Sequence, residues 1–306
     1  MRLEFSKAVY HGHLIRGDLR EAIRYVKQVP EQSALYDRFM AVFDREQYVT
    51  YEAGPGLNAI LLQYQRYYRD VFYLGVEKEA AESRLKSRLA ALLCVKKPDD
   101  LSGLEQDEVS EAFQREGFHF LGGRTGGYYG PYIWRTTETK CFEVELPDGV
   151  QTYTVKLLDD FISRSWLDYL TFGEVGTGGW TDGDGVINCV RSAYDLDSEA
   201  FQVSLLKHEA QHAEDLEKHP DMLPEDLEYR AKLVELIYSR ERNMLERFAR
   251  EAGQADKSNG HASASNRIIR DFARKRNIAG TDVETLTIEQ ICATAKALYQ
   301  ESSQQQ

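Results

Sequence analysis

The sequence has no long hydrophobic run. Its most apolar-looking stretch, Leu57 to Gly75, is interrupted by Gln63, Gln65, Arg66, Arg69 and Asp70, whereas a bilayer-spanning helix needs roughly 20 mostly apolar residues. Cysteine is scarce and scattered: Cys94, Cys141, Cys189 and Cys292 include no CxxC pair, so they read as free thiols of a reducing compartment rather than a disulfide frame. Positive charge is also short. Thirty-eight Lys and Arg face 50 Asp and Glu, a net charge of −12, which argues against nucleic acid and anionic membrane as partners, since both require a basic face. The opening residues Met1 to Lys7 carry no apolar segment of a secretory signal. A cytoplasmic location is therefore expected. No internal repeat is visible.

A chain of 306 residues can bury a sizeable core and hold two or three structural regions. Residues 1–116 follow helical periodicity. Asp18 starts a helix that Pro30 stops, Ser33 to Asp44 forms the next, and Pro55 opens a longer one with Leu57, Ile60, Leu61, Tyr64, Tyr68, Val71 and Phe72 on one face. Helices over Lys78–Val95 and Leu104–Arg115 follow. The aromatic stripe Tyr64, Tyr67, Tyr68, Phe72, Tyr73 is expected to be core rather than a ligand groove. His11-Gly-His13 alone is too weak a pattern to hold a metal.

Residues 117–190 change character. Phe142–Leu146 and Val150–Leu157 alternate about the turn Pro147-Asp-Gly149 and predict a β-hairpin. Gly126–Trp134 is a glycine-aromatic segment, either a loop near a site or a packed turn, and Asp182-Gly-Asp-Gly185 reads as a turn. Val186–Val190 predicts a strand, either at a sheet edge or in its interior. A linker over 254–266 and terminal helices over 267–276 and 288–300 complete the expectation. The domain plan is 1–116 helical, 117–253 a small sheet followed by two site helices, 254–266 linker and 267–306 terminal helices.

The chemistry concentrates in Phe201–Leu216, which contains His208-Glu209-Ala210-Gln211-His212. On a helix, positions four apart share a face, so His208 and His212 can offer ring nitrogens to one ion. Glu209 turns to the flank, where it can take a proton from water. Asp197 or Ser198 can cap this helix, and Phe201, Leu205, Ala213 and Leu216 supply its apolar stripe. A third His at the metzincin spacing is absent, because Lys218 stands there and His219 comes one residue late. A second helix opens at Pro224 and carries Glu225, Glu228, Lys232 and Glu235 on one face. Folded back after a short turn, it returns a carboxylate beside the histidines.

On these residues, over about 170–240, the sequence resembles the gluzincin type of zinc metallopeptidase, in which HExxH is completed by a Glu from a following helix. The resemblance implies zinc held by His208, His212 and Glu228, Glu209 as general base, and a peptide or protein substrate. It departs from the thermolysin pattern at Lys232, where an Asp would stand, which leaves the partner of His208 open and Glu235 as a competing ligand. Tyr194, Tyr229, Arg230 and Tyr238 are candidates for a second oxyanion donor, Tyr238 first because it lies beyond the Glu-bearing turn. The expected fold is α+β, mainly helical, with a zincin-like sheet and helix pair. The rival reading is a non-catalytic binding or structural protein whose HExxH is coincidental or only binds metal.

Overall fold

The computed structural model describes residues 4–96, 98–181, 185–253 and 260–304. In chain order it contains α1 (Lys7–Ile15), α2 (Leu19–Lys27), α3 (Ser33–Phe39), α4 (Pro55–Tyr68), α5 (Lys78–Leu92), α6 (Leu101–Leu104) and α7 (Ser110–Arg115). Strands β1 (His119–Leu121), β2 (Arg124–Thr125), β3 (Tyr128–Tyr129), β4 (Tyr132–Trp134), β5 (Thr136–Leu146), β6 (Gly149–Asp159) and β7 (Ser163–Arg164) follow, then α8 (Ser165–Leu170), β8 (Gly179–Thr181) and β9 (Ile187–Val190). The remainder is helical: α9 (Glu199–Phe201), α10 (His208–Lys218), α11 (Pro224–Tyr238), α12 (Asn243–Ala252), α13 (Gly260–Arg276) and α14 (Ile288–Ser303). The architecture is mainly helical α+β, as expected.

The chain divides into two compact units, Met1–Thr136 with Asp159–Thr177, and Thr137–Leu158 with Gly178–Gln306. This is not the division expected at 116, 253 and 266. A linear reading cannot show that 159–177 returns to the first unit between two strands of the second.

In the first unit four of the five stripe residues are core: Tyr64, Tyr67, Tyr68 and Phe72 are buried, together with Tyr10, Phe39, Phe43 and Phe113, whereas Tyr73 is half-buried and donates to Asp44 at 3.1 Å. The glycine-aromatic segment is a packed turn. Arg124–Thr125 pairs antiparallel with Tyr128–Tyr129, and Gly126 and Gly127 take the positive φ values (57° and 84°) that the two connecting residues require. Tyr129 and Ile133 then join the core.

In the second unit four strands line up in the order β5-β6-β9-β8. The expected hairpin forms as β5 and β6, with Val144, Leu146, Tyr153, Val155 and Leu157 buried on alternate positions. Those side chains pack with Phe201, Leu205, Leu206 and Ala210 of the helical layer. Strand β9 pairs parallel with β6 and antiparallel with β8. It is therefore an interior strand, and its four residues are all buried, which corrects the edge-strand alternative. The edge beside the motif helix is β8. Gly179 makes that approach possible, because a Cβ there would stand 2.6 Å from both Asn188 O and Leu205 Cδ1.

Three helical expectations are adjusted. The motif helix is not uniform: Ser198 caps α9, its hydroxyl accepting from Phe201 N–H at 3.2 Å, and a π-helical turn over Gln202–Lys207 precedes His208. The second helix, which the charged residues after Tyr238 predict to run on to about Ala252, ends at Tyr238; the Ser239 hydroxyl donates to Glu199, and a separate helix, α12, follows. Helix α13 begins at Gly260, so 260–266 of the expected linker are helical; 254–259 lie outside the described residues. The turn expected at Asp182-Gly-Asp-Gly185 also falls largely outside the described residues.

Candidate metal centre

Helices α10 and α11 run antiparallel, as their cross-contacts show. His208 meets Glu235 near one end, while Asp215 meets Arg230 further along. That arrangement follows from the short connection 219–223 and from two apolar faces that must be buried together. It carries Glu228 back beside the histidine pair.

His208 Nε2 and His212 Nε2 stand 3.0 Å apart. Glu228 Oε2 is 3.6 Å from the first and Glu228 Oε1 is 3.6 Å from the second. One ligand atom from each residue lies within 4.8 Å of the others. Both histidines are largely buried, with side chains 8% and 13% exposed. The structure thus brings together His208, His212 and Glu228.

Glu235 takes a different place. Its Oε1 lies 2.8 Å from His208 Nδ1. A carboxylate oxygen only accepts, so Nδ1 carries the proton and the Nε2 lone pair is turned toward His212 and Glu228. Two carboxylates on one helix bracket a single imidazole, two turns or about 10 Å of helix apart. Glu235 therefore supplies the partner of His208 that Lys232 does not. Lys232 instead donates to Glu251 at 2.8 Å and sits over the Phe248 ring, tying α11 to α12.

Burial pushes His208 toward lower pKa, but the hydrogen bond and charge of Glu235, with the charges of Glu209 and Glu228, outweigh it and raise the group. Burial would raise Glu228, yet its contacts with His212 and His261 win and hold the carboxyl well below the usual range. Glu228 Oε2 is nonetheless a buried oxygen without an aligned hydrogen bond among the described residues, and His212 Nδ1 is likewise unpartnered. Two imidazole nitrogens and one carboxylate, three donors from two helices, could hold a metal ion.

Glu209 is turned off the ligand face, as the helical geometry requires. Its Oε2 accepts from the Thr181 hydroxyl at 2.6 Å, so edge strand β8 holds the carboxylate. Thr181 is legible in the sequence only as a residue before a turn. His261 is a further neighbour that the linear reading missed. Its Nδ1 is 2.7 Å from Glu228 Oε2.

Of the four oxyanion candidates, the structure leaves three elsewhere. Tyr238, placed first by sequence position, has the Lys207 ammonium 4.1 Å from its ring centre. Burial and then the charges of Glu145, Cys292 and Asp148 raise its hydroxyl to about 12, so its surroundings are those residues rather than the histidines. The last turn of α11 rotates it away from the Glu228 face. Tyr229 donates to Asp271 at 3.1 Å. Arg230 is held by Asp215, with both oxygens 2.9 Å from Nε. Tyr194 differs: burial raises its pKa, followed by Cys189, Glu209 and Glu235, so its hydroxyl lies in the field of the site carboxylates. It also packs so closely on Gly178 that a Cβ there would strike the hydroxyl. No protein-family model, curated protein or solved structure matches the chain.

Proposed function

We propose that the protein is a zinc-dependent hydrolase of peptide or other amide bonds, of the gluzincin type that its motif resembles. The observation that carries this reading is the convergence of His208 Nε2, His212 Nε2 and the Glu228 carboxylate, with Glu209 beside them and off the ligand face. A zinc ion with three protein ligands keeps one open position, where it lowers the pKa of water toward about 7 and polarises a carbonyl.

Glu209 removes a proton from the attacking water and passes it to the leaving amine. Its Oε2 is engaged by Thr181, leaving Oε1 for the water. Glu235 keeps His208 in the tautomer that presents Nε2. Strand β8 ends the sheet order among the described strands, so its outer edge suits an extended substrate backbone added as a further strand.

Glu209→Gln tests the enzyme reading directly. The variant keeps its zinc and its melting temperature but loses at least about a hundredfold in turnover of unstructured peptides, the usual scale for a positioned general base. A variant as active as the wild type moves the chemistry elsewhere. Wild-type protein that holds zinc but turns over no amide substrate favours a metal-binding scaffold.

A further inference from the structure

Glu228 has two oxygens, and the two have different neighbours. Oε1 is 3.6 Å from His212 Nε2. Oε2 is 3.6 Å from His208 Nε2 and 2.7 Å from His261 Nδ1. His261 comes from the first turn of α13, and its side chain is 51% exposed. The backbone before it lies over Glu228, for a Cβ at Gly260 would stand 3.6 Å from Glu228 Cγ. The His261 ring also stacks on His208, with centroids 6.2 Å apart and planes inclined by 28°. Among the described residues the converging ligand atoms are those of His208, His212 and Glu228, without His261.

These contacts decide how a carboxylate can present itself to an ion. Glu has three side-chain torsions, and an unrestrained carboxylate can bind through one oxygen or both. Binding through both would occupy the position that catalytic zinc leaves to water. A polar partner on one oxygen removes that option and fixes the other in place. We propose that His261 is a positioning residue: its Nδ1 engages Glu228 Oε2, so that Glu228 offers Oε1 as a single ligand oxygen and one coordination position stays open. This rests on the metal reading given above.

The test is equilibrium zinc affinity of the full chain, measured by competition with a chromogenic chelator, for wild type, His261→Ala, His261→Phe and His261→Asn. Alanine and phenylalanine should each weaken zinc by about 10- to 100-fold, the usual effect of removing a ligand's polar partner. Asparagine, whose amide N–H can reach the same oxygen, should recover most of that loss. Metal-free melting temperatures should match wild type. Unchanged affinity in His261→Ala overturns the proposal. So does full affinity in His261→Phe, which would assign the effect to ring packing, or a matching fall in metal-free stability, which would make the role structural. A loss as large as that of His212→Ala also overturns it, by making His261 a ligand. Wild-type protein that takes up no zinc overturns the metal reading and this proposal together, whereas zinc-loaded wild type with an unaffected His261→Ala overturns this proposal alone.

Discussion

Glu228 and Glu235 lie on one face of one helix, yet they meet His208 at opposite nitrogens. The difference sets their expected roles. Glu228→Gln should weaken zinc binding the more of the two, because it neutralises the carboxylate proposed as the third ligand. Glu235→Gln should weaken binding by about 10- to 100-fold, because it loosens the orientation of His208 while leaving the ligand set intact. Zinc affinities of the two variants decide between them, and a larger loss for Glu235→Gln would make Glu235 the ligand. HExxH spacing announced His208, Glu209 and His212 at this scale, since a helix alone places i and i+4 together. His261 could not be announced, because nothing local marks a histidine whose importance depends on where another helix begins.

At the scale of elements, the site depends on α10 and α11 keeping their register, and a buried polar network sets it. Arg230 of α11 binds Asp215 of α10 through Nε, both oxygens at 2.9 Å. It also donates to Ser302 at 2.9 Å and to the Tyr299 hydroxyl at 2.8 Å on α14. Gln211 donates to Asp215 at 2.9 Å and accepts from Tyr299 at 3.2 Å. All these groups are buried. Arg230→Met leaves Asp215 as an uncompensated buried charge and should cost about 3–5 kcal/mol in denaturant unfolding. The double variant Arg230→Met, Asp215→Leu should recover most of it, since an apolar pair of similar volume suits the same space. A loss below about 1 kcal/mol in the single variant would show that the network does not hold the helices.

At the scale of the whole molecule, the first unit carries its own buried ionisable group. Glu105, almost fully buried, accepts from the Tyr64 hydroxyl at 2.6 Å and from Gly123 N–H at 2.8 Å. Burial raises its pKa from the ordinary 4.5 to about 7, with Tyr64, Gly123 and Arg124 pulling the other way. The folded state therefore holds this proton more tightly than the unfolded chain. The stabilisation is fully present below pH 4.5 and is lost as pH rises through about 7. At roughly 1.4 kcal/mol per pH unit, that amounts to about 3 kcal/mol. Unfolding free energies of wild type and Glu105→Gln, measured from pH 4.5 to 8, should show wild type losing ground to the variant as pH rises. A gap independent of pH would mean that Glu105 is ionised throughout.

Where the information is local, the linear chain determined the outcome. Periods of 3.6 and 2 decide which faces are apolar, so the helices around Tyr64 and Glu228, the hairpin of β5 and β6 and the HExxH face could all be read from sequence. No helix among the described residues is long and apolar enough to cross a membrane. Tertiary structure decided everything that depends on which faces meet. It made β9 interior and β8 the edge, because strand order in a sheet is not chain order. It assigned Glu228 to Nε2 and Glu235 to Nδ1, a distinction set by the offset of two packed helices. It also took Tyr238 away from the site and brought His261 to it, since a side chain's direction depends on the rotation of its helix and on what that helix packs against.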